Sequence, residues 1–85
     1  MKEFTYVIHD PLGLHARPAG ILSRTTAGFK SKITLVYKDQ PVLLRRMIGV
    51  ISLQAKQGEQ VKIQAEGEDE DAAIAQLQTV CQEFL

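Results

Sequence analysis

The sequence has little of what most small binding or secreted modules rely on. It holds a single cysteine, Cys81, so no internal disulfide can form. That fits a reducing compartment and excludes a disulfide-stapled secreted scaffold. Tryptophan is absent, and the aromatics amount to three Phe and two Tyr, most of them on faces that read as core. Neither sign of charge dominates: ten Lys and Arg balance ten Asp and Glu. A small nucleic-acid binder needs a basic face and surface aromatics for stacking, and both are missing. No apolar run is long enough to span a bilayer. Met1-Lys2-Glu3-Phe4-Thr5 lacks the apolar stretch of a signal peptide, so the expected location is the cytoplasm. There is no internal repeat, linker or low-complexity tract. No group of residues has metal-ligand spacing, and the acidic run Glu68-Asp69-Glu70-Asp71 does not match a calcium-binding EF-hand loop.

What is present is enough for one small domain over residues 1–85. The hydrophobic fraction of 45% supports a core and argues against disorder. A chain of this length buries roughly 60–65% of its unfolded surface, enough for one core. Residues 2–8 read as a strand, with Phe4, Tyr6 and Ile8 on one face. Asp10-Pro11-Leu12-Gly13 breaks it. Residues 16–27 read as a helix carrying Ala19, Leu22, Ser23 and Thr26 at helical spacing, and Gly28 stands where a left-handed C-cap is favoured. Residues 32–38 alternate cleanly, with Ile33, Leu35 and Tyr37 on one face. A short polar break then leads to a second strand over 41–44, giving a hairpin in which Pro41 marks a sheet edge. Residues 47–53 are compact and apolar. Val61, Ile63 and Ala65 alternate in another strand, and Asp69 is placed to cap a final helix whose stripe is Ile74, Leu77, Cys81 and Phe84. Cys81 is then a buried small hydrophobe and not a nucleophile. Two longer helices with one apolar stripe each suit a two-layer α+β domain.

The chemistry concentrates in Gly13-Leu14-His15-Ala16-Arg17-Pro18. A histidine here stands where a helix begins, and proline in the first turn costs nothing because those N–H groups have no intrahelical partner. Free amides and the helix dipole attract negative charge. An imidazole in this place can take a phosphoryl group whose oxygens meet the backbone donors of Ala16 and Arg17, and the Arg17 guanidinium matches phosphate geometry. Imidazole also has a suitable ordinary pKa of about 6.5 for a nucleophile that is neutral near pH 7. His9, at the end of the first strand, has no ligand-spaced neighbour and reads as a solvated side chain.

This hexapeptide resembles the active-site segment of HPr, the histidine-containing phosphocarrier of the bacterial sugar phosphotransferase system. The likeness extends along the chain through Phe29-Lys30-Ser31-Lys32-Ile33-Thr34, Gly49-Val50-Ile51-Ser52-Leu53 and Ala65-Glu66-Gly67-Glu68-Asp69-Glu70. It implies an open-faced βαββαβα sandwich, with an antiparallel sheet in the order 1-4-2-3 covered on one face by helices, and makes the 47–53 segment a short helix. It also implies phosphorylation of His15 on Nδ1 by phosphorylated enzyme I, whose phosphate derives from phosphoenolpyruvate, and transfer to a sugar-specific enzyme IIA. His15 and Arg17 would carry the chemistry, with no cofactor and no metal on this chain. Leu12, Ile21, Arg24, Arg46, Met47 and Ile48 are the candidate partner-docking residues of an expected monomer, with regulators as further possible partners. Two departures stand out. Arg46 occupies the position of the regulatory serine found in many Gram-positive relatives, and Gln54 stands where the family usually has glycine. If position 54 needs a positive φ, Gln54 costs roughly 1 kcal/mol. The competing reading is a regulatory HPr-like paralogue, not committed to sugar transport.

Overall fold

The computed structural model describes all 85 residues. The elements run β1 (Lys2–Val7), α1 (Ala16–Thr26), β2 (Lys32–Tyr37), β3 (Gln40–Leu43), α2 (Met47–Ser52), β4 (Gln60–Glu66) and α3 (Glu70–Phe84). The four strands form one sheet in the order β1-β4-β2-β3, antiparallel throughout. This is the expected open-faced βαββαβα sandwich. Strand β4 lies at the centre, pairing Phe4 with Ile63 on one side and Leu35 with Ile63 on the other.

Alternation decides which face of the sheet is covered. Ile33, Leu35 and Tyr37 of β2 and Val61, Ile63 and Ala65 of β4 are all buried, and their sequence neighbours on the opposite face are more open. The helices meet the covered face with Ala19 and Leu22 of α1, Val50 of α2, and Ala73, Leu77, Val80 and Cys81 of α3. Burial pushes the Cys81 thiol up to about 12, so it is an inert hydrophobe at neutral pH. No helix is long and apolar enough to cross a membrane.

The β2–β3 hairpin turns on Lys38 and Asp39, whose φ values of 49° and 64° give the left-handed turn that matches strand twist. Pro41 pairs with Val36 on the edge strand, where its missing N–H leaves no neighbouring strand without a donor.

Three local expectations change. Gly28 is not a left-handed cap: Ala27, Gly28 and Phe29 donate in turn to the carbonyls of Arg24, Thr25 and Thr26, so α1 ends by tightening. Asp69 stands at the N-cap of α3, but its carboxylate does not cap that helix. It accepts instead from Lys30 N–H (2.7 Å), Ser31 N–H (2.9 Å) and the Ser31 hydroxyl, tying α3 to the segment before β2. Those donors hold the Asp69 carboxyl below the usual carboxylate range, the Ser31 hydroxyl contributing most. Phe84 leaves the core stripe and is 37% exposed, while Val80 and Leu85 are buried.

Gln54 has a φ of +56°, the left-handed conformation that glycine adopts without steric cost. Its side chain is exposed and makes no hydrogen bond, so replacing it removes no contact. Gln54→Gly is expected to stabilise the fold by about 0.5–1 kcal/mol, the relief of strain being partly offset by a more flexible unfolded chain. Thermal denaturation should show a midpoint higher by roughly 2–8 °C.

Candidate functional site

The site is built from the loop between β1 and α1. Ile8 N–H donates to the Glu59 carbonyl, and His9 and Asp10 N–H both donate to the Leu85 carbonyl at 2.8 Å, so the last residue of the chain holds the start of the loop. The Asp10 carboxylate then folds the chain back: Oδ1 accepts from Leu12 N–H at 2.8 Å. Gly13 follows with a φ of +68°, and Leu14 N–H donates to the Ala55 carbonyl at 2.9 Å. A Cβ on Gly13 would lie 2.3 Å from that carbonyl oxygen. Glycine is therefore required twice, by conformation and by space. Leu14 is buried beneath the turn and anchors it to the core.

His15 is the N-cap residue of α1, with extended backbone (φ −92°, ψ −172°). Its carbonyl accepts the first helical bond, from Ala19 N–H. Its side chain caps nothing; Nε2 lies 3.1 Å from Asp10 Oδ2, and the side chain is 30% exposed. Ala16 and Arg17 N–H make no hydrogen bond within the protein, and Pro18 has none to make. Two backbone donors are thus left at the positive end of a helix, next to the imidazole. Arg17 is exposed, has no carboxylate within ion-pair distance, and lines a shallow depression with Asp10, Leu12, His15, Glu83 and Phe84. The Leu12 N–H and then the His15 ring hold the Asp10 carboxyl below the usual carboxylate range, with Arg17 adding a smaller pull.

His9 is exposed, as its position suggests; its ring meets Tyr6 edge-on and Nδ1 lies 3.2 Å from the Tyr6 hydroxyl. The docking candidates divide by exposure. Leu12 and Ile48 are 75% and 74% exposed, while Ile21 and Met47 are half-buried. Arg24 is exposed in the last turn of α1, where a cation suits the dipole. Arg46 is the exposed N-cap residue of α2. The Ser23 hydroxyl of α1 donates to the carbonyl of Arg45, in the connection between β3 and α2, at 2.6 Å. The Met47 sulfur packs on α1 at Gly20, where a Cβ would sit 3.4 Å from it.

Sequence reasoning passed over Asp10 and the chain end. Asp-Pro-Leu-Gly is legible as a turn, but nothing in its spacing tells which side chain the carboxylate reaches. The link from Leu85 back to His9 and Asp10 crosses the whole chain and leaves no local signature.

The family model described as "PTS HPr component phosphorylation site" matches residues 2–83. The chain belongs to the HPr family. An HPr phosphocarrier of Lysinibacillus sphaericus is 40% identical over 84 residues, which are 99% of this chain and 96% of that protein. The solved structure of the histidine-containing phosphocarrier of Mycoplasma has a TM-score of 0.93 at 33% identity, covering 96% of this chain and 93% of its own. The Bacillus subtilis catabolite repression protein Crh, solved as a swapped dimer, has a TM-score of 0.77 at 29% identity, covering all of this chain and 98% of its own. Family membership makes the protein a phosphocarrier-type component of the phosphotransferase system.

Because the left-handed Gly13 sits on the Ala55 carbonyl, Gly13→Ala should destabilise the HPr fold by about 2 kcal/mol or more, combining backbone strain with a clash against backbone. The melting midpoint should fall by roughly 8–16 °C. A loss of less than a degree would mean that the loop has room to move.

Proposed function

We propose that His15 accepts a phosphoryl group from phosphorylated enzyme I, itself charged from phosphoenolpyruvate, and passes it to a sugar-specific enzyme IIA. The observation that carries this reading is the pair of unbonded N–H groups of Ala16 and Arg17 beside a partly exposed imidazole. A phosphoryl group on His15 brings up to two negative charges to a place already supplied with donors. Arg17 adds a guanidinium with no carboxylate partner of its own, free to follow the group as it moves. Catalysis is then mainly positioning and charge neutralisation, with the two partner sites supplying the rest.

The carrier acts as a monomer, with Asp10, His15 and Arg17 lining one depression. The protein works in the cytoplasm of a bacterium, where enzyme I and enzyme IIA meet it. They dock on a surface formed by Leu12, the exposed part of α1 with Ile21 and Arg24, and the start of α2 with Arg46, Met47 and Ile48. Exposed Leu12 and Ile48 give that surface apolar contacts, and the arginines give it positive charge. Arg46 supplies no hydroxyl, so a serine kinase has no acceptor at that position. The likeness to Crh supports a second reading, a regulatory paralogue that uses the fold as a binding module. His15 and Arg17 favour the carrier.

Incubation with enzyme I and phosphoenolpyruvate, followed by intact mass, separates the two readings. The carrier gains one acid-labile phosphoryl group, and His15→Ala gains none. Labelling of that variant on His9 would reject the assignment. Arg17→Ala should keep its melting temperature and slow transfer to enzyme IIA by roughly tenfold or more, since a charge-assisted contact is worth about 1.5–3 kcal/mol. Unchanged transfer would make Arg17 an ordinary solvated charge.

A further inference from the structure

Asp10 is better fixed than a loop aspartate has reason to be. Its N–H donates to the Leu85 carbonyl at 2.8 Å. Oδ1 is occupied by Leu12 N–H at 2.8 Å, and Oδ2 alone is left for the His15 ring, at 3.1 Å. An ionised carboxylate can only accept, so the ring nitrogen facing it must carry the proton. We infer that Asp10 is a positioning residue that locks His15 in the Nε2–H tautomer, and thereby directs phosphoryl transfer to Nδ1 and away from Nε2. The inference rests on the carrier reading for its biological purpose, but its chemistry belongs to the two side chains.

The lock acts at two stages. In the neutral ring, one nitrogen holds the proton and the other holds the nucleophilic lone pair. With the proton on Nε2, Nδ1 attacks phosphorus: an Nδ1–P bond forms, the bond from phosphorus to the donor's leaving nitrogen breaks, and that nitrogen takes its electron pair. Nε2 keeps its hydrogen throughout, so the ring gains positive charge as the bond forms. The Asp10 carboxylate lies against the nitrogen that shares this charge and favours the attack. In the phosphorylated ring the same hydrogen bond keeps Nε2 protonated. A protonated ring is the better leaving group, so the phosphoryl group stays transferable and is not trapped. Asp10 also covers Nε2, leaving that nitrogen neither a lone pair nor an open approach.

The position of Asp10 makes the effect separable from folding. Asp10→Asn keeps an oxygen acceptor for Leu12 N–H and the same backbone bond to Leu85, but removes the charge. Asp10→Ser keeps a short-range acceptor for the same turn and cannot reach the ring as a carboxylate does. Both variants are expected to keep the fold, as judged by amide spectra outside residues 9–17.

The experiment has two arms and needs no partner protein. In the first, nitrogen-15 NMR of His15 is recorded where the ring is neutral. The wild type should show the Nε2–H tautomer alone, and both variants should show a measurable share of Nδ1–H. In the second, the proteins are treated with phosphoramidate, a small phosphoryl donor that releases ammonia, and the product is assigned by phosphorus and nitrogen NMR. The wild type should yield the Nδ1 product only. The variants should react at Nδ1 about tenfold more slowly or worse, as loss of a charge-assisted hydrogen bond implies, and should yield Nε2 product as well. Folded variants with the wild-type tautomer and the wild-type product would overturn the inference. So would a wild type that shows a tautomer mixture, whether or not it reacts. If the wild type shows the lock but gains no phosphate from enzyme I, the carrier reading fails and the role of Asp10 stands.

Discussion

The close approach of Gly13 to the Ala55 carbonyl is the constraint on which the site depends. It fixes the turn that delivers His15 to the start of α1 in extended conformation. Everything chemically useful follows from that delivery. Had the helix begun one residue earlier, His15 would be an ordinary first-turn residue, and its ring would project along the helix surface. As the N-cap residue it stands outside the helix, beside donors that the helix cannot use. The loop is held against the body by backbone bonds to Glu59, Leu85 and Ala55, and by the Gln57 side chain, which donates to the His9 carbonyl. The backbone holds keep the loop in shape without drawing on the Arg17 side chain, which stays free to act.

The two-layer body serves this loop. The loop leaves from β1, an edge strand of the sheet, and α3 brings Leu85, just past its end, to the point where the loop begins. The end of α3 therefore borders the site, while Met1 lies at the other end of that helix, against Glu70. One face of α1 is committed to the core through Ala19 and Leu22, which sets the helix axis and with it the direction of the free amides. The Asp69 clamp on Lys30 and Ser31 plays a similar part at the far end of α1, holding the segment that leads into β2.

Much of this is legible in the sequence because it rests on local pattern. Alternation at Ile33, Leu35 and Tyr37 specifies a half-buried strand, and Pro41 confines its partner to an edge. The glycine before a histidine, with a proline in the next turn, marks a helix start with unusual N-terminal chemistry. The strained Gln54 is visible as a departure from a family pattern and has the positive φ that the pattern implies. What is not legible depends on long-range geometry. Asp69 has the right type and place for an N-cap, yet partners 38 and 39 residues away claim its oxygens. Phe84 falls on the apolar stripe by angle, but the last turn of α3 lies beside the loop, and the ring lines the depression next to His15. Periodicity gives the angle around a helix and not what its end faces. Asp10 reads as a turn residue because its turn bond is local, whereas its reach to His15 depends on the turn that Gly13 allows.

The central claim is that the fold presents Ala16 and Arg17 N–H as ready-made donors for a phosphoryl group on His15, with no rearrangement of the body. It is tested most directly by amide NMR of the protein before and after phosphorylation. The account predicts large downfield shifts of the Ala16 and Arg17 amide protons, scalar coupling from their nitrogens to phosphorus, and small changes in the sheet and α3. A phosphorylated protein in which neither amide shifts, or in which the sheet and α3 shift as much as the loop, would contradict it.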